Sequence, residues 1–88
     1  MIERAFVIKN KLGLHARPAA LFVREASRFK SSVVVVKDGL EVNGKSVMGL
    51  MLLAAESGAK LTVRADGADE GEALDALQKI FERKFDEE

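Results

Sequence analysis

Residues 33–42 read Val-Val-Val-Val-Lys-Asp-Gly-Leu-Glu-Val, and this stretch decides the fold. Its four consecutive β-branched residues predict a strand that is buried on both faces or nearly so. Asp38 and Gly39 are a strong hairpin signal because both residue types tolerate a positive φ, and residues 40–42 alternate as the returning strand. A link of two residues forces the strands that it joins to run antiparallel.

Outside this hairpin, the pattern predicts strands over residues 2–8 and 61–65, and two helices over residues 16–27 and 46–53. With a helix at the end, the order is β-α-β-β-α-β-α in a single domain, residues 1–88. Amphipathic helices need an apolar sheet face to cover. The prediction is therefore an α+β fold, an open-faced β-sandwich in which three helices cover one face of a four-stranded antiparallel sheet.

The last helix is predicted from a start signal and an apolar face. Asp69 with Glu72 three residues later resembles a capping box with Asp in the capping role. Residues 86–88 after the helix are predicted to form a frayed tail. The apolar face of the helix consists of Ala73, Leu74, Leu77, Ile80 and Phe81.

Charge and composition exclude several classes of function. Fourteen basic and fourteen acidic side chains cancel, which removes the broad positive field of a nucleic-acid binder. Cysteine is absent and histidine occurs once, which excludes disulfides and argues against a zinc site. The N-terminal apolar stretch stops at Lys9, too early for a signal peptide, and no run reaches membrane-spanning length. We therefore expect a cytoplasmic protein that neither binds nucleic acid nor inserts in a membrane.

The single histidine, His15, lies where the first helix is predicted to begin. Backbone N–H groups at a helix start lack helical partners and carry partial positive charge, so an anion bonded to this imidazole would meet them at once. Arg17 adds a guanidinium group suited to phosphate oxygens. Pro18 fits the first helical turn, where its missing N–H costs nothing. A neutral imidazole can act as a nucleophile, so a phosphohistidine site is compatible with this segment.

The same residues also allow a plainer interpretation. A lone histidine near a helix start is usually a surface or capping residue, and a lone arginine is most often a solvated charge. By themselves, the residue types and their spacing define only a candidate anion site.

Two segments resemble the HPr family of histidine phosphocarriers. Residues 13–20, Gly-Leu-His-Ala-Arg-Pro-Ala-Ala, are similar to the family's active-site signature. Residues 45–51, Lys-Ser-Val-Met-Gly-Leu-Met, resemble its regulatory region, and the two segments lie at the spacing that the family uses. Family members often have a small polar residue where this chain has Leu12, so the resemblance does not carry over side-chain capping from that position.

The resemblance implies a relay of phosphoryl groups. His15 would accept a phosphoryl group on its δ nitrogen from enzyme I, which is itself charged by phosphoenolpyruvate, and would pass it to the IIA domain of a sugar transporter. Arg17 would brace the phosphoryl oxygens, and the N–H groups of Ala16 and Arg17 at the helix start would complete the cradle. Such a protein is a carrier that shares catalysis with its partners rather than an enzyme, and it needs no cofactor.

The resemblance also implies a regulatory site and a docking surface. Ser46 is phosphorylated with ATP in family members from bacteria that possess the HPr kinase, and the added charge would oppose an acidic partner. Ser46 is equally suited to cap the second helix, and the two roles are compatible. Val47 and Met51 could instead be ordinary core residues rather than members of a docking surface. The docking surface by resemblance consists of Ala20, Val47, Met48 and Met51, with Arg17, Arg24 and Lys45 around them.

Three other interpretations stay open at the level of sequence. Residues 39–46 satisfy the phosphate-loop pattern G-x-x-x-x-G-K-[ST], although residues 40–42 are better explained as a hairpin strand. A ferredoxin-like binding module would have the same strands and helices, with His15 incidental. A carrier in a nitrogen-related phosphotransferase branch would use the same chemistry at His15. In each carrier interpretation a monomer is expected, because a shuttle must dock and leave.

Overall fold

The computed structural model of the chain describes residues 1–87. It confirms the predicted order β-α-β-β-α-β-α and adds a short 3-10 turn, Lys84–Asp86, which we call the C-terminal turn. None of the helices within residues 1–87 has the length and apolar character needed to cross a membrane. The elements are β1 (Ile2–Val7), α1 (Ala16–Ala26), β2 (Ser32–Lys37), β3 (Leu40–Asn43), α2 (Val47–Leu52), β4 (Lys60–Asp66) and α3 (Glu70–Glu82).

The four strands form one antiparallel sheet in the order β1-β4-β2-β3. β4 lies between β1 and β2, so that Ala65 is opposite Ile2 on one side and Val33 on the other. Asp38 and Gly39 link β2 to β3 and have φ values of 49° and 83°. The predicted hairpin and its positive φ angles are therefore confirmed.

The helices cover only one face of the sheet. Val34 and Val36 point to the opposite face and are half-buried, whereas Val33 and Val35 between them are buried. The prediction that this strand is buried on both faces or nearly so is confirmed in full only for the face of Val33 and Val35, because no helix of residues 1–87 covers the face of Val34 and Val36. The core beneath the helices includes Val33, Val35, Leu61, Val63 and Ala65 from the sheet, with Phe22, Leu50, Leu74 and Leu77 from the helices.

Phe81 on α3 joins the N-terminal strand, the first helix and the C-terminal turn. Its ring stacks on Phe6 at a centroid distance of 4.5 Å. It meets the edges of Phe22 and Phe85 at 6.1 and 5.0 Å. Because Phe85 is only 4% exposed, the C-terminal turn is packed on the core. The expected frayed tail is therefore wrong for residues 86 and 87, and Glu88 lies outside the described residues.

The start of α3 lacks the predicted capping box. Asp69 occupies the N-cap position, but its carboxylate accepts hydrogen bonds from the backbone N–H groups of Lys30 and Ser31 and from the Ser31 hydroxyl. Glu70, not Glu72, folds back over the helix start. The prediction is wrong because Asp69 finds its donors in the chain that enters β2.

Candidate functional site

The segment between β1 and α1 is held against the loop that follows α2. The N–H of Ile8 donates to the carbonyl of Ala59 at 2.9 Å, and the N–H of Leu14 donates to the carbonyl of Ala55 at 2.8 Å. Gly13 has a φ of 73°, and a side chain at this position would collide with the Ala55 carbonyl. This glycine lets the two segments lie in contact, and the chain therefore reaches His15 along a fixed path.

His15 is the N-cap residue of α1, with φ −81° and ψ −173°. Its carbonyl accepts the first helical bond, from the N–H of Ala19 at 3.0 Å, while its imidazole makes no capping bond. The N–H groups of Ala16 and Arg17 precede that first bond and so lack partners within the helix. The side chain of His15 is 36% exposed. The structure thus places a reachable imidazole at the helix start, as the sequence predicts.

Arg17 shares an exposed face of α1 with two other predicted residues. Ala20 and Arg24 follow Arg17 at intervals of three and four residues, and all three are exposed. They line a shallow cleft whose other side is formed by Phe85 and Asp86. Arg17 also lines a neighbouring cleft that is bounded by residues 86–87. The guanidinium group is therefore accessible beside the helix start.

Glu87 contacts the histidine, although no sequence pattern indicated it. Nε2 of His15 lies 3.1 and 3.0 Å from the two carboxylate oxygens of Glu87. Asn10, which is fully buried, donates from Nδ2 to the same carboxylate at 3.0 Å and to the carbonyl of Gly13 at 2.7 Å. Glu87 is 72 residues from His15 in the chain, so no local signal could predict this contact.

α2 packs against α1 and carries Val47, Met48 and Met51 of the predicted docking surface. Met48 is 79% exposed and Met51 is 45% exposed, so a core position is excluded for both. Val47 is half-buried and packs on the edge of the core. This position is intermediate between its two predicted roles, a core residue and a member of the docking surface. Leu52 was not selected from the sequence, yet it is 73% exposed and extends the apolar surface next to Met51.

Ser46 is the N-cap residue of α2. Its hydroxyl oxygen accepts a hydrogen bond from the N–H of Gly49 at 3.0 Å, and its carbonyl accepts one from the N–H of Leu50 at 3.0 Å. The capping role of Ser46 is therefore confirmed. A phosphoryl group on this hydroxyl would lie at the start of α2, where its oxygens could also accept from the N–H of Gly49.

Lys45 and the hairpin before it do not form a phosphate loop. Nζ of Lys45 donates to the carbonyl of Phe29 at 2.8 Å, and its backbone N–H donates to the side chain of Asn43. Residues 40–43 are paired antiparallel with β2, whereas a phosphate loop requires a free loop between a strand and a helix. The structure therefore excludes the phosphate-loop interpretation.

Comparison with known proteins assigns the family. A family profile described as "PTS HPr component phosphorylation site" matches residues 2–83. The phosphocarrier protein HPr of Treponema pallidum is 46% identical over 88 residues, which cover all of both chains. The HPr-like protein Crh of Halalkalibacterium halodurans is 51% identical over 84 residues, covering 96% of this chain and all of the relative. The chain therefore belongs to the HPr family of phosphocarriers of the phosphotransferase system.

Solved structures confirm the fold of the whole chain. HPr-C-His from Thermoanaerobacter tengcongensis superposes with a TM-score of 0.96 at 52% identity, covering 100% of this chain and 99% of that one. An HPr dimer from the same organism matches with a TM-score of 0.78, covering 97% and 98% of the two chains. The open-faced α+β sandwich predicted from the sequence is the fold of these relatives.

Proposed function

We propose that this protein carries a phosphoryl group on His15, which it takes from enzyme I charged by phosphoenolpyruvate and gives to the IIA domains of sugar transporters. The observation that carries the proposal is the exposed imidazole at the N-cap of α1, in a chain of the HPr family. The proposal places the protein in the cytoplasm, where phosphoenolpyruvate is made.

The helix start suits His15 as an acceptor. The oxygens of a phosphoryl group on the imidazole meet the free N–H groups of Ala16 and Arg17 at the positive end of α1. The guanidinium group of Arg17 supplies paired donors to the same oxygens. Because the helix fixes these N–H groups before the phosphoryl group arrives, they stabilise the charge of in-line transfer without reorganisation. A phosphohistidine is also less stable than a serine phosphoester, which suits a group that must be passed on.

The docking surface is proposed to receive several partners in turn. The exposed thioethers of Met48 and Met51 adapt to different partner shapes, as a carrier between unlike proteins requires. Arg17 and Arg24 are exposed on α1, which packs against α2, so an acidic partner is favoured at the rim. We propose that the carrier acts as a monomer, which leaves this surface free.

Ser46 is proposed as a regulatory site where the bacterium has an HPr kinase. Phosphorylation adds about two negative charges next to the docking surface. An acidic partner would be repelled, and the rate of transfer through His15 would fall. The carbon and nitrogen branches of the phosphotransferase system share the chemistry at His15, and the proposal commits to the sugar branch.

The proposal is tested by intact mass after incubation with phosphoenolpyruvate and purified enzyme I. A gain of one phosphoryl group is expected, which is lost in mild acid and is passed to an added IIA domain. His15→Ala, shown by circular dichroism to be folded, must not gain mass. If His15→Ala still relays phosphate from phosphoenolpyruvate to the IIA domain, the proposal is wrong.

A regulation-only protein is the second candidate, favoured by the 51% identity to the HPr-like protein Crh. Such a protein would gain no mass with enzyme I. It would gain a phosphoryl group with ATP and HPr kinase, and Ser46→Ala would abolish that gain. The two mass measurements on the same preparation therefore separate the candidates.

A further inference from the structure

Among residues 1–87, the hydrogen-bonding partner of the His15 imidazole lies on its Nε2 side. Nε2 faces both carboxylate oxygens of Glu87 at 3.1 and 3.0 Å, and the Glu87 side chain is only 16% exposed. A carboxylate only accepts hydrogen bonds, so the proton of this contact is on Nε2. The lone pair of a neutral ring is then on Nδ1, the nitrogen that is turned away from Glu87.

Asn10 fixes the carboxylate from the other side. Its Nδ2 donates to Glu87 at 3.0 Å and to the carbonyl of Gly13 at 2.7 Å, and the residue is fully buried. With the amide turned over, its oxygen would face the Glu87 carboxylate and the Gly13 carbonyl, and both contacts would be repulsive. The hydrogen bonds therefore run from Asn10 to Glu87 and from His15 to Glu87.

The C-terminal turn brings Glu87 back to the histidine. Lys84, Phe85 and Asp86 all have left-handed backbones, with φ of 55°, 55° and 59°. This conformation is unfavourable for residues with a Cβ atom, so it persists only where the surroundings enforce it. Here Phe85 is buried against the edge of Phe81. The contact between Glu87 and His15 is thus set by core packing and not by a freely moving side chain.

We infer that Glu87 is a positioning residue that fixes the ring of His15 so that Nδ1 is the phosphoryl acceptor. This inference rests on the proposed function. The Nδ1 lone pair attacks phosphorus and forms the N–P bond, while the bond from phosphorus to the donor breaks and its electron pair stays with the donor. Nε2 keeps its proton, so the phosphorylated ring carries a positive charge. The Glu87 carboxylate stabilises that charge, as a buried Asp does for the imidazolium of a serine protease.

Two variants remove one negative charge each from the C-terminal segment. Glu87→Gln removes the carboxylate on Nε2. Glu82→Gln is the matched control, because Glu82 is exposed, bounds neither of the clefts that Arg17 lines, and is replaced by a side chain whose oxygen can still accept from Nε2 of Gln78. The rate of phosphoryl acceptance from enzyme I is expected to fall at least about tenfold in Glu87→Gln and to stay unchanged in Glu82→Gln. An unchanged or faster rate in Glu87→Gln would overturn the inference. It would mean that the carboxylate has no effect on phosphoryl acceptance or that it slows the reaction.

A second readout needs no partner protein. The probe is phosphoramidate, a small phosphoryl donor, and the modified nitrogen is identified by proton–phosphorus correlation spectra of the imidazole. The parent is expected to carry the group on Nδ1, whereas Glu87→Ala, in which Nε2 is uncovered, is expected to carry a substantial share on Nε2. Equal distributions in the parent and Glu87→Ala, or a parent modified on Nε2, would overturn the inference.

The two readouts separate the inference from the proposed function. If the parent takes a phosphoryl group from phosphoramidate on Nδ1 and Glu87→Ala takes a substantial share on Nε2, but the parent takes none from enzyme I, the proposed function fails and the positioning role stands. If the parent accepts from enzyme I while Glu87→Ala keeps the same rate and the same isomer, the positioning role fails and the proposed function stands.

Discussion

A single carboxylate, that of Asp69, fastens the start of α3 to the start of β2. It accepts hydrogen bonds from the Ser31 hydroxyl, from the N–H of Lys30 at 2.9 Å and from the N–H of Ser31 at 2.9 Å. These bonds favour the charged form and lower the pKa of Asp69 from 3.8 to about 2, with the Ser31 hydroxyl as the largest cause. The contact joins two elements that no turn connects.

This pKa predicts how stability depends on pH. A lowered pKa in the folded protein means that the contribution of Asp69 is fully present above about pH 4 and is lost as the pH falls towards 2. Asp69→Asn is therefore expected to lower the free energy of unfolding at neutral pH, and the difference from the parent should shrink between pH 4 and 2. Urea unfolding followed by circular dichroism at several pH values measures this.

The control for Asp69→Asn is Glu72→Gln, which removes an exposed carboxylate from the first turn of the same helix. It is expected to leave the acid limb of the stability curve unchanged. A difference between Asp69→Asn and the parent that stays constant with pH would contradict the assignment.

At the scale of single residues, local sequence signals identified some of the site and missed the rest. His15 and Arg17 stand in a recognisable motif, and helix-start chemistry explains why they belong together. The capping-box pattern pairs Asp69 with Glu72 because it relates only residues three positions apart. The groups that donate to Asp69 lie 38 and 39 residues away. Glu87 was missed for the same reason, because its partner is 72 residues distant.

Among the elements, α2 depends most on its cap. It has only six residues, and the hydroxyl oxygen of Ser46 accepts the N–H of Gly49 at its start. Ser46→Ala is expected to lower the free energy of unfolding by about 1 kcal/mol and to leave the rate of phosphoryl acceptance at His15 unchanged. Ser46→Asp keeps a capping oxygen and adds charge, so it is expected to retain stability and to slow acceptance. Urea unfolding and the enzyme I reaction measure the two effects separately.

Ser32→Asp controls for charge alone in this comparison. Ser32 is exposed at the start of β2, and it alternates with the buried Val33 onto the uncovered face of the sheet, away from the helices. It should not slow phosphoryl acceptance. Equal rates for Ser46→Asp and the parent would remove the regulatory proposal, whereas a slow Ser32→Asp would show that net charge, rather than its place, is responsible.

The elements themselves were predictable because their signals are local. The hairpin between β2 and β3 follows from Asp38 and Gly39, and the helices follow from the spacing of apolar residues. The positions of β1 and β4 in the sheet do not follow from any such signal, since β4 pairs with strands that are distant in sequence. A run of four valines also has no alternation, so it could not reveal that Val34 and Val36 face an uncovered side of the sheet.

For the molecule as a whole, we expect the segment from Ile8 to Leu14 to favour the monomer over a dimer. A dimer that exchanges β1 would form the same β1–β4 pairs between chains, so the pairing itself favours neither state. Such an exchange would extend the connecting segment and break its internal hydrogen bonds. These are the N–H of Gly13 to the carbonyl of Asn10 at 3.2 Å and the Asn10 side chain to the carbonyl of Gly13 at 2.7 Å. Each contributes about 1 kcal/mol, and each is lost in both chains of the dimer.

We therefore expect a monomer of 9.6 kDa in light scattering coupled to gel filtration. Asn10→Ala removes the side-chain bond to Gly13 and is expected to raise the dimeric fraction at a given protein concentration. Lys11→Ala is the control, because Lys11 is an exposed residue of the same segment. A parent with twice the expected mass at the lowest concentration would contradict the monomer, and equal dimeric fractions for Asn10→Ala and Lys11→Ala would contradict the role of this segment. Asn10 also donates to the Glu87 carboxylate that contacts His15. A dimer that exchanges β1 and so displaces Asn10 is therefore expected to accept phosphoryl groups more slowly than the monomer.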